Sequence, residues 1–191
     1  MRLSTRARLA AAQGLIWLGL GGGELERLFL GTAQAFGASL PPRRARGVEA
    51  RLREYAAFTR RHAEAVLARA SGAREGCGRA AEIDRRLFQA GRELGQRYRG
   101  RFGVRSMEDV MSAARVIYAG IGIDFRGTAI GPVEIRRCRF AKVYSPRVCE
   151  VISALDRGVL SGLSNGGELR FCQRLTEGAA SCRATFEGAK R

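Results

Sequence analysis

Four of the chain's five cysteines, Cys138, Cys149, Cys172 and Cys182, lie in its last third, and the fifth, Cys77, stands alone in a glycine-rich segment. Thiols gathered in one sub-structure admit three chemistries: a metal site, a reactive nucleophile, or packing as a small hydrophobe. Spacing argues against the first. The intervals are ten, 22 and nine residues, whereas structural zinc sites pair their cysteines two to four residues apart. The single histidine, His62, falls on an apolar helical stripe, which gives it a core or interface role rather than a ligand's. The chain has no Ser-His-Asp set, no phosphate loop and no dinucleotide fingerprint. No metal and no cofactor are therefore expected.

The nucleophile reading depends on which thiols stand near cations, since a positive neighbour lowers a thiol's pKa and makes it the better attacking group. Cys138 follows Arg136 and Arg137. For Cys172 the strand register decides. If Cys172 sat opposite Cys182, the closing hairpin would carry a mixed face. Sliding the pairing by one puts Leu169, Phe171, Leu175, Ala180, Cys182, Ala184 and Phe186 on one face and Arg170, Cys172, Arg174, Arg183 and Thr185 on the other. A slip of one moves every side chain across the sheet, so the cleaner apolar face fixes the register. Cys182 is then expected in the core and Cys172 among three arginines. Cys138 and Cys172 are the candidate catalytic thiols, and Arg136, Arg137, Arg170, Arg174 and Arg183 are the cations grouped with them at the site. Cys149, in the first turns of a helix, is a supporting candidate. Glu134, Asp124, Glu150 and Asp156 are the nearby carboxylates, any of which could orient a water or act as base; Glu134 and Asp124 are placed with the site.

The elements that must hold these residues follow from hydrophobic period and end signals. Helices are expected over about Ser4–Leu20 and Glu24–Phe36, the first ended by Gly21–Gly23. Together they make a helical hairpin over residues 1–40. Pro41-Pro42 reads as an extended linker. A helical pair follows within 45–105, from Ala45 to Ser71 and from Arg79 to Arg99, broken by Gly72–Gly78. Ser106 with Asp109 makes a capping box for a helix reaching Tyr118. Alternation of Ile121, Ile123 and Phe125 marks a strand; Gly131-Pro132 turns the chain; Val133 to Phe140 returns as a second strand. Ser145-Pro146 starts a helix with Val148, Ile152, Leu155, Val159 and Leu163 on one face, and Asn165-Gly166-Gly167 ends it. Glu168 to Leu175 and Ala180 to Glu187 form the last hairpin. The reading is α+β: a helical N-terminal half packed with a small antiparallel sheet made of a strand pair, a helix and a C-terminal hairpin. The strand-helix-hairpin core occupies 106–187, within an α+β domain spanning 45–191.

Charge points outward. The formal net charge is +16, with 32 arginines and two lysines. Seventeen arginines oppose seven acids between Arg43 and Arg105. Such helices attract an anionic partner, but no nucleic-acid-binding motif accompanies them, which ranks that role low. At the start, Arg2, Arg6 and Arg8 precede an apolar run, and Ala33-Gln34-Ala35 imitates a cleavage site. Glu24, Glu26 and Arg27 interrupt it, and Gln13 with Gly21–Gly23 leaves the run too short to span a membrane. A cytoplasmic protein is expected, with membrane association through the N-terminal helix as the alternative. The partners admitted are a small-molecule ligand or substrate, an anion on the Arg-rich helices, and a second copy of the chain.

The segments Glu134-Ile135-Arg136-Arg137-Cys138, Pro146-Arg147-Val148-Cys149, Phe171-Cys172-Gln173-Arg174-Leu175 and Gly178 with Cys182 resemble the L-2-amino-thiazoline-4-carboxylic acid hydrolase-like family over residues 120–187. Arg139 stands where that family has Pro. The same ending is similar to 4-vinyl reductase-like ligand-binding domains. The first resemblance implies hydrolysis of a cyclic C–N bond in a small carboxylate substrate, with a thiol as nucleophile and arginines on the carboxylate. The second implies a non-catalytic pocket or sensor between helices and sheet. The hydrolase is the leading expectation and the sensor the alternative.

Overall fold

The computed structural model describes residues 4–17, 22–43, 46–70, 74–129 and 131–188. Within them the chain is α+β. Helices α1 (Thr5–Trp17), α2 (Gly22–Ala35), α3 (Val48–Ala70), α4 (Arg74–Phe102) and α5 (Met107–Ala119) come first. Strands β1 (Ile123–Arg126) and β2 (Val133–Cys138) follow, then a 3-10 turn over Arg139–Lys142, helix α6 (Pro146–Ser164), and the hairpin β3 (Glu168–Gln173) and β4 (Cys182–Glu187). The four strands form one antiparallel sheet in the order β1-β2-β4-β3. The helical and strand-helix-hairpin halves share a core: Leu9, Leu25 and Phe29 belong to the same buried cluster as Val133, Ile135 and Leu169. Among the described residues no helix is long and apolar enough to cross a membrane.

Local chemistry sets several of these ends. The Ser106 hydroxyl accepts from Asp109 N (3.2 Å), and the Asp109 carboxylate accepts from Ser106 N in return. That reciprocal pair satisfies two orphan donors of α5. Ser145 caps α6 by accepting from Val148 N (3.3 Å), with Pro146 in the first turn, and Asn165 ends it in the left-handed region at φ 65°. Other boundaries moved. Helix α4 begins at Arg74, five residues before the expected Arg79, because Gly76 and Gly78 are absorbed into its first turns, and it runs on to Phe102. Strand β2 stops at Cys138, and Phe140 lies in the 3-10 turn instead. The expected helix ends at Leu20, Gly21, Ala45, Ser71 and Gly72 lie outside the described residues.

Helices α4 and α6 pack backbone to backbone. Each carries glycines four apart, Gly91 and Gly95 on α4, Gly158 and Gly162 on α6. A Cβ at Gly95 would stand 2.3 Å from the Val159 carbonyl oxygen, and one at Gly162 would stand 2.2 Å from that of Arg92. Only glycine lets the two helices meet this closely. The contact holds α6 in place over the sheet.

The sheet has one covered face and one solvated face. Ile123, Phe125, Val133, Ile135, Leu169, Cys182 and Ala184 are buried, while Arg126, Arg136, Arg137, Arg170, Cys172, Arg183 and Thr185 are exposed. Two irregularities break the alternation. Between β1 and β2, Asp124 pairs with Arg137 but Phe125 with Ile135, so Arg136 is an extra residue. Between β3 and β4, Phe171 pairs with Ala184 but Gln173 with Arg183, so Cys172 is extra. Each bulge shifts the inward-facing set by one from that point on.

Candidate functional site

A cavity of about 250 Å³ lies between the helices and the inner face of the sheet. Its deep wall holds Tyr55, Tyr118, Tyr144, Phe140, Cys138, Cys149, Asp156 and Cys182; its lining reaches the exposed residues Gly23 and Arg101 at the surface. Helix α6 delivers Cys149, Ile152, Ser153, Asp156 and Val159 to it, α3 delivers Tyr55, and α5 delivers Val116, Ile117 and Tyr118.

The tyrosine hydroxyls are tied down. Tyr118 OH donates to Asp156 Oδ1 (2.9 Å) and Tyr98 OH to Glu24 Oε2 (3.0 Å). Tyr55 shares a hydrogen bond with Thr32 Oγ1 (3.2 Å), and Tyr144 pairs with Thr59. Phe140 stacks on Tyr144 at 5.5 Å and meets the edge of Tyr55 at 5.9 Å. Fixed aromatic walls of this kind define a shape before any ligand arrives.

Asp156 is the acid in the deep part of this cavity. Burial pushes its pKa up to about 6, against the pull of the Tyr118 hydrogen bond and of Arg174 and Arg157. Burial likewise pushes the Cys138 thiol up to about 12, and raises Cys149 and Cys182. The expectation that Arg136 and Arg137 would favour a Cys138 thiolate is thereby corrected. Both arginines are exposed on the outer face, Arg136 ion-paired to Glu134 (2.8 Å), and the bulge at Arg136 turns Cys138 inward away from them.

The hairpin register is the expected one as far as Phe171, with Leu169 paired to Phe186, Arg170 to Thr185 and Phe171 to Ala184; beyond the bulge Gln173 pairs with Arg183, and Leu175, expected in the strand, lies in a 3-10 turn. Cys182 is buried and its sulfur accepts from Leu175 N (3.3 Å). Cys172 is exposed, donating to the Arg183 carbonyl (3.4 Å). Arg174 departs from the expected outer face, because the bulge at Cys172 reverses the parity beyond it. Its side chain is only 16% exposed, lies over the Phe171 ring at 4.9 Å, and donates to Ser153 Oγ on α6 (3.3 Å).

The sequence-predicted residues therefore fall into two places. Cys172, Arg136, Arg183, Glu134 and Asp124 line a shallow open groove on the solvated face of the sheet. There Asp124 pairs with Arg126 (3.2 Å) and Glu134 with Arg136, so much of the charge is internally satisfied. Arg137 is exposed opposite Asp124, and Arg170 pairs with Glu168 (2.8 Å). Cys138 and Cys149 belong to the cavity, with Arg174 packed against Ser153 in its wall. Sequence reasoning named Asp156 only as one of four nearby acids. Its signal was an acid four residues after Ile152 and three before Val159, on the apolar stripe of α6. The cavity's tyrosines were not singled out as site residues. His62 is half-buried, packs on Phe58 at a ring distance of 4.1 Å and bonds its carbonyl (2.8 Å). Among the described residues no three His, Cys, Asp or Glu side chains are placed to hold a metal ion.

On the Arg-rich helices, Arg51 is buried between Glu26 and Glu54 (2.7 Å each), and Arg85 and Arg86 both reach Glu82. Compared with protein-family models, curated proteins and solved structures, the chain matches none.

Proposed function

We propose that this protein binds a small, largely apolar molecule in the cavity beneath its sheet. The supporting observation is the cavity itself: about 250 Å³, walled by hydrogen-bonded tyrosines and carrying one enclosed acid. A cavity of roughly 150 Å³ takes a six-carbon ring, so this one suits about ten non-hydrogen atoms. A few polar groups among many apolar ones is the composition of a ligand site. The second reading, thiol-dependent hydrolysis of a cyclic C–N bond, draws on Cys138 and Asp156 lining the same space. It ranks behind because burial keeps that thiol protonated and because Arg136, Arg137, Arg170 and Arg183 are exposed on the sheet's outer face. The outer groove with Cys172 ranks lower still, being open and solvated.

The test is titration of naphthylmethanol, a neutral probe of about the right size, into the protein and into Ile152→Trp, which fills the cavity. At a hundred times its Kd a ligand adds about 2.7 kcal/mol to stability, which at this chain length raises Tm by roughly 5–10 °C. We expect saturable binding by the native protein and none by a folded Ile152→Trp variant. Equal response of the two, or none from either, would overturn the proposal.

A further inference from the structure

We infer that the cavity selects an organic ammonium ion: a ligand whose protonated amine pairs with Asp156 while its apolar body lies against Tyr55, Phe140 and Tyr144. The inference rests on the cavity being the ligand site and adds the ligand's charge.

Three observations carry it. First, Asp156 keeps an acceptor open. An ionised carboxylate has about four lone-pair sites, yet its one hydrogen bond is from Tyr118 to Oδ1, and among the described residues none donates to Oδ2. The side chain is half-buried and is one of the residues that line the cavity. Second, no arginine bonds the carboxylate. Arg157 bonds Asp84, and Arg174, which acts on Asp156 only through its charge and leaves its Nε without a partner, bonds Ser153 and covers Phe171. At the surface end of the cavity, Arg101 and Glu24 pair with each other. Third, the walls beside the acid are aromatic, and ring faces attract a desolvated cation as well as pack an apolar body. The charged group that lines the deep part of the cavity is a carboxylate with no cation bonded to it, which favours an ammonium guest over an anion.

A buried acid without a full partner is costly to the fold. Such groups cluster where a ligand or reaction uses them. The titratable and charged groups facing Asp156 are Tyr118 from α5, Tyr55 from α3, Cys138 from β2, Tyr144 after the 3-10 turn, Cys182 from β4, Arg174 after β3, and Cys149 and Arg157 from α6 itself. None of the cysteines or tyrosines is ionised near neutrality, so Asp156 is the group that titrates between pH 5 and 7.5.

The experiment compares three probes of nearly equal size, naphthylmethylamine, naphthylmethanol and naphthoate, by calorimetry at physiological salt, which screens the basic surface. The amine is expected to bind at least about tenfold tighter than the alcohol at pH 7.5, as a charge-assisted bond requires, and naphthoate weakest. Between pH 7.5 and 5 the amine's affinity should fall about tenfold as Asp156 protonates, while the alcohol's stays level. Asp156→Asn should remove the amine's advantage and leave the alcohol within about threefold; the pH series on the native chain decides the question even if that variant does not fold. Failure of all three probes removes the pocket reading and this inference with it. Equal binding of amine and alcohol, or tighter binding of naphthoate, overturns the ammonium assignment while leaving the pocket in place.

Discussion

Replacing Gly158 by alanine tests the packing that positions the cavity's acidic helix. The new Cβ would stand 2.1 Å from the Phe88 carbonyl oxygen, 2.8 Å from Arg92 N and 3.0 Å from Gly91 Cα. All three atoms are backbone, so no rotamer change relieves the clash, and reaching ordinary contact of about 3.5 Å means parting α4 from α6 by an ångström or more. Overpacking of a close-packed interior costs about 1–3 kcal/mol and sometimes more. Opposing it, alanine is intrinsically better than glycine in a helix by about 1 kcal/mol. Backbone obstruction on a long helix pair puts the cost at the upper end, so the net loss is about 2 kcal/mol, or roughly 4–8 °C in Tm for a chain of this length. The control is Gly100→Ala on α4, where a Cβ meets nothing within 4 Å; there propensity acts alone and stability rises by up to about 1 kcal/mol. Urea and thermal melts of both variants measure the difference. Because α6 carries Ile152, Asp156 and Val159, naphthylmethanol binding should weaken in Gly158→Ala and not in Gly100→Ala. A Gly158→Ala protein as stable as Gly100→Ala would refute the backbone contact and the placement of α6 that depends on it.

Two further outcomes follow from the interior chemistry. Asp156 has a folded pKa of about 6 against an ordinary 3.8, so the folded state binds more protons between those values and stability falls as pH rises through that window. Its ionised form therefore costs the ligand-free fold up to about 3 kcal/mol above pH 6, and Asp156→Asn, which keeps an acceptor for Tyr118, should be more stable than the native chain at pH 8 with the gap closing by pH 4; a gap independent of pH would count against the buried acid. For the thiols, burial pushes Cys138 up to about 12 and raises Cys149 and Cys182, whereas Cys172 is exposed, so mass-spectrometric mapping of alkylation at pH 7.5 should find Cys172 modified at least about a hundredfold faster than Cys138, with Cys149 and Cys182 also slow. Modification of Cys138 as fast as Cys172 would restore it as the candidate nucleophile.

The features legible in the sequence are those decided by nearby residues. Ser145, Pro146 and Asn165 announce both ends of α6 because caps act within a turn. The hairpin register was legible because only one pairing gives an apolar face to bury. The close approach of α4 and α6 was written in Gly91, Gly95, Gly158 and Gly162, but glycine spacing on one helix acquires meaning only when the partner helix is known. The bulges were not legible at all. A bulge is a count of residues on one strand against those on its neighbour, and neither strand carries that count alone.

Those two bulges account for the largest difference between the expected site and the observed one. Strict alternation from Ile135 would send Arg137 inward and Cys138 out; the extra residue at Arg136 exchanges them, so the thiol lines the cavity and both arginines stay in solvent. Strict alternation from Phe171 would keep Arg174 on the outer face with Cys172; the extra residue at Cys172 turns Arg174 toward Ser153 of α6. One bulge keeps Arg137 out of the interior, and the other admits Arg174 and fixes it against a serine and an aromatic ring. The acid on α6 is thus left without a cation bonded to it, in a protein rich in arginine. That arrangement follows from strand geometry rather than from composition, and the proposed pairing of Asp156 with an ammonium group rests on it.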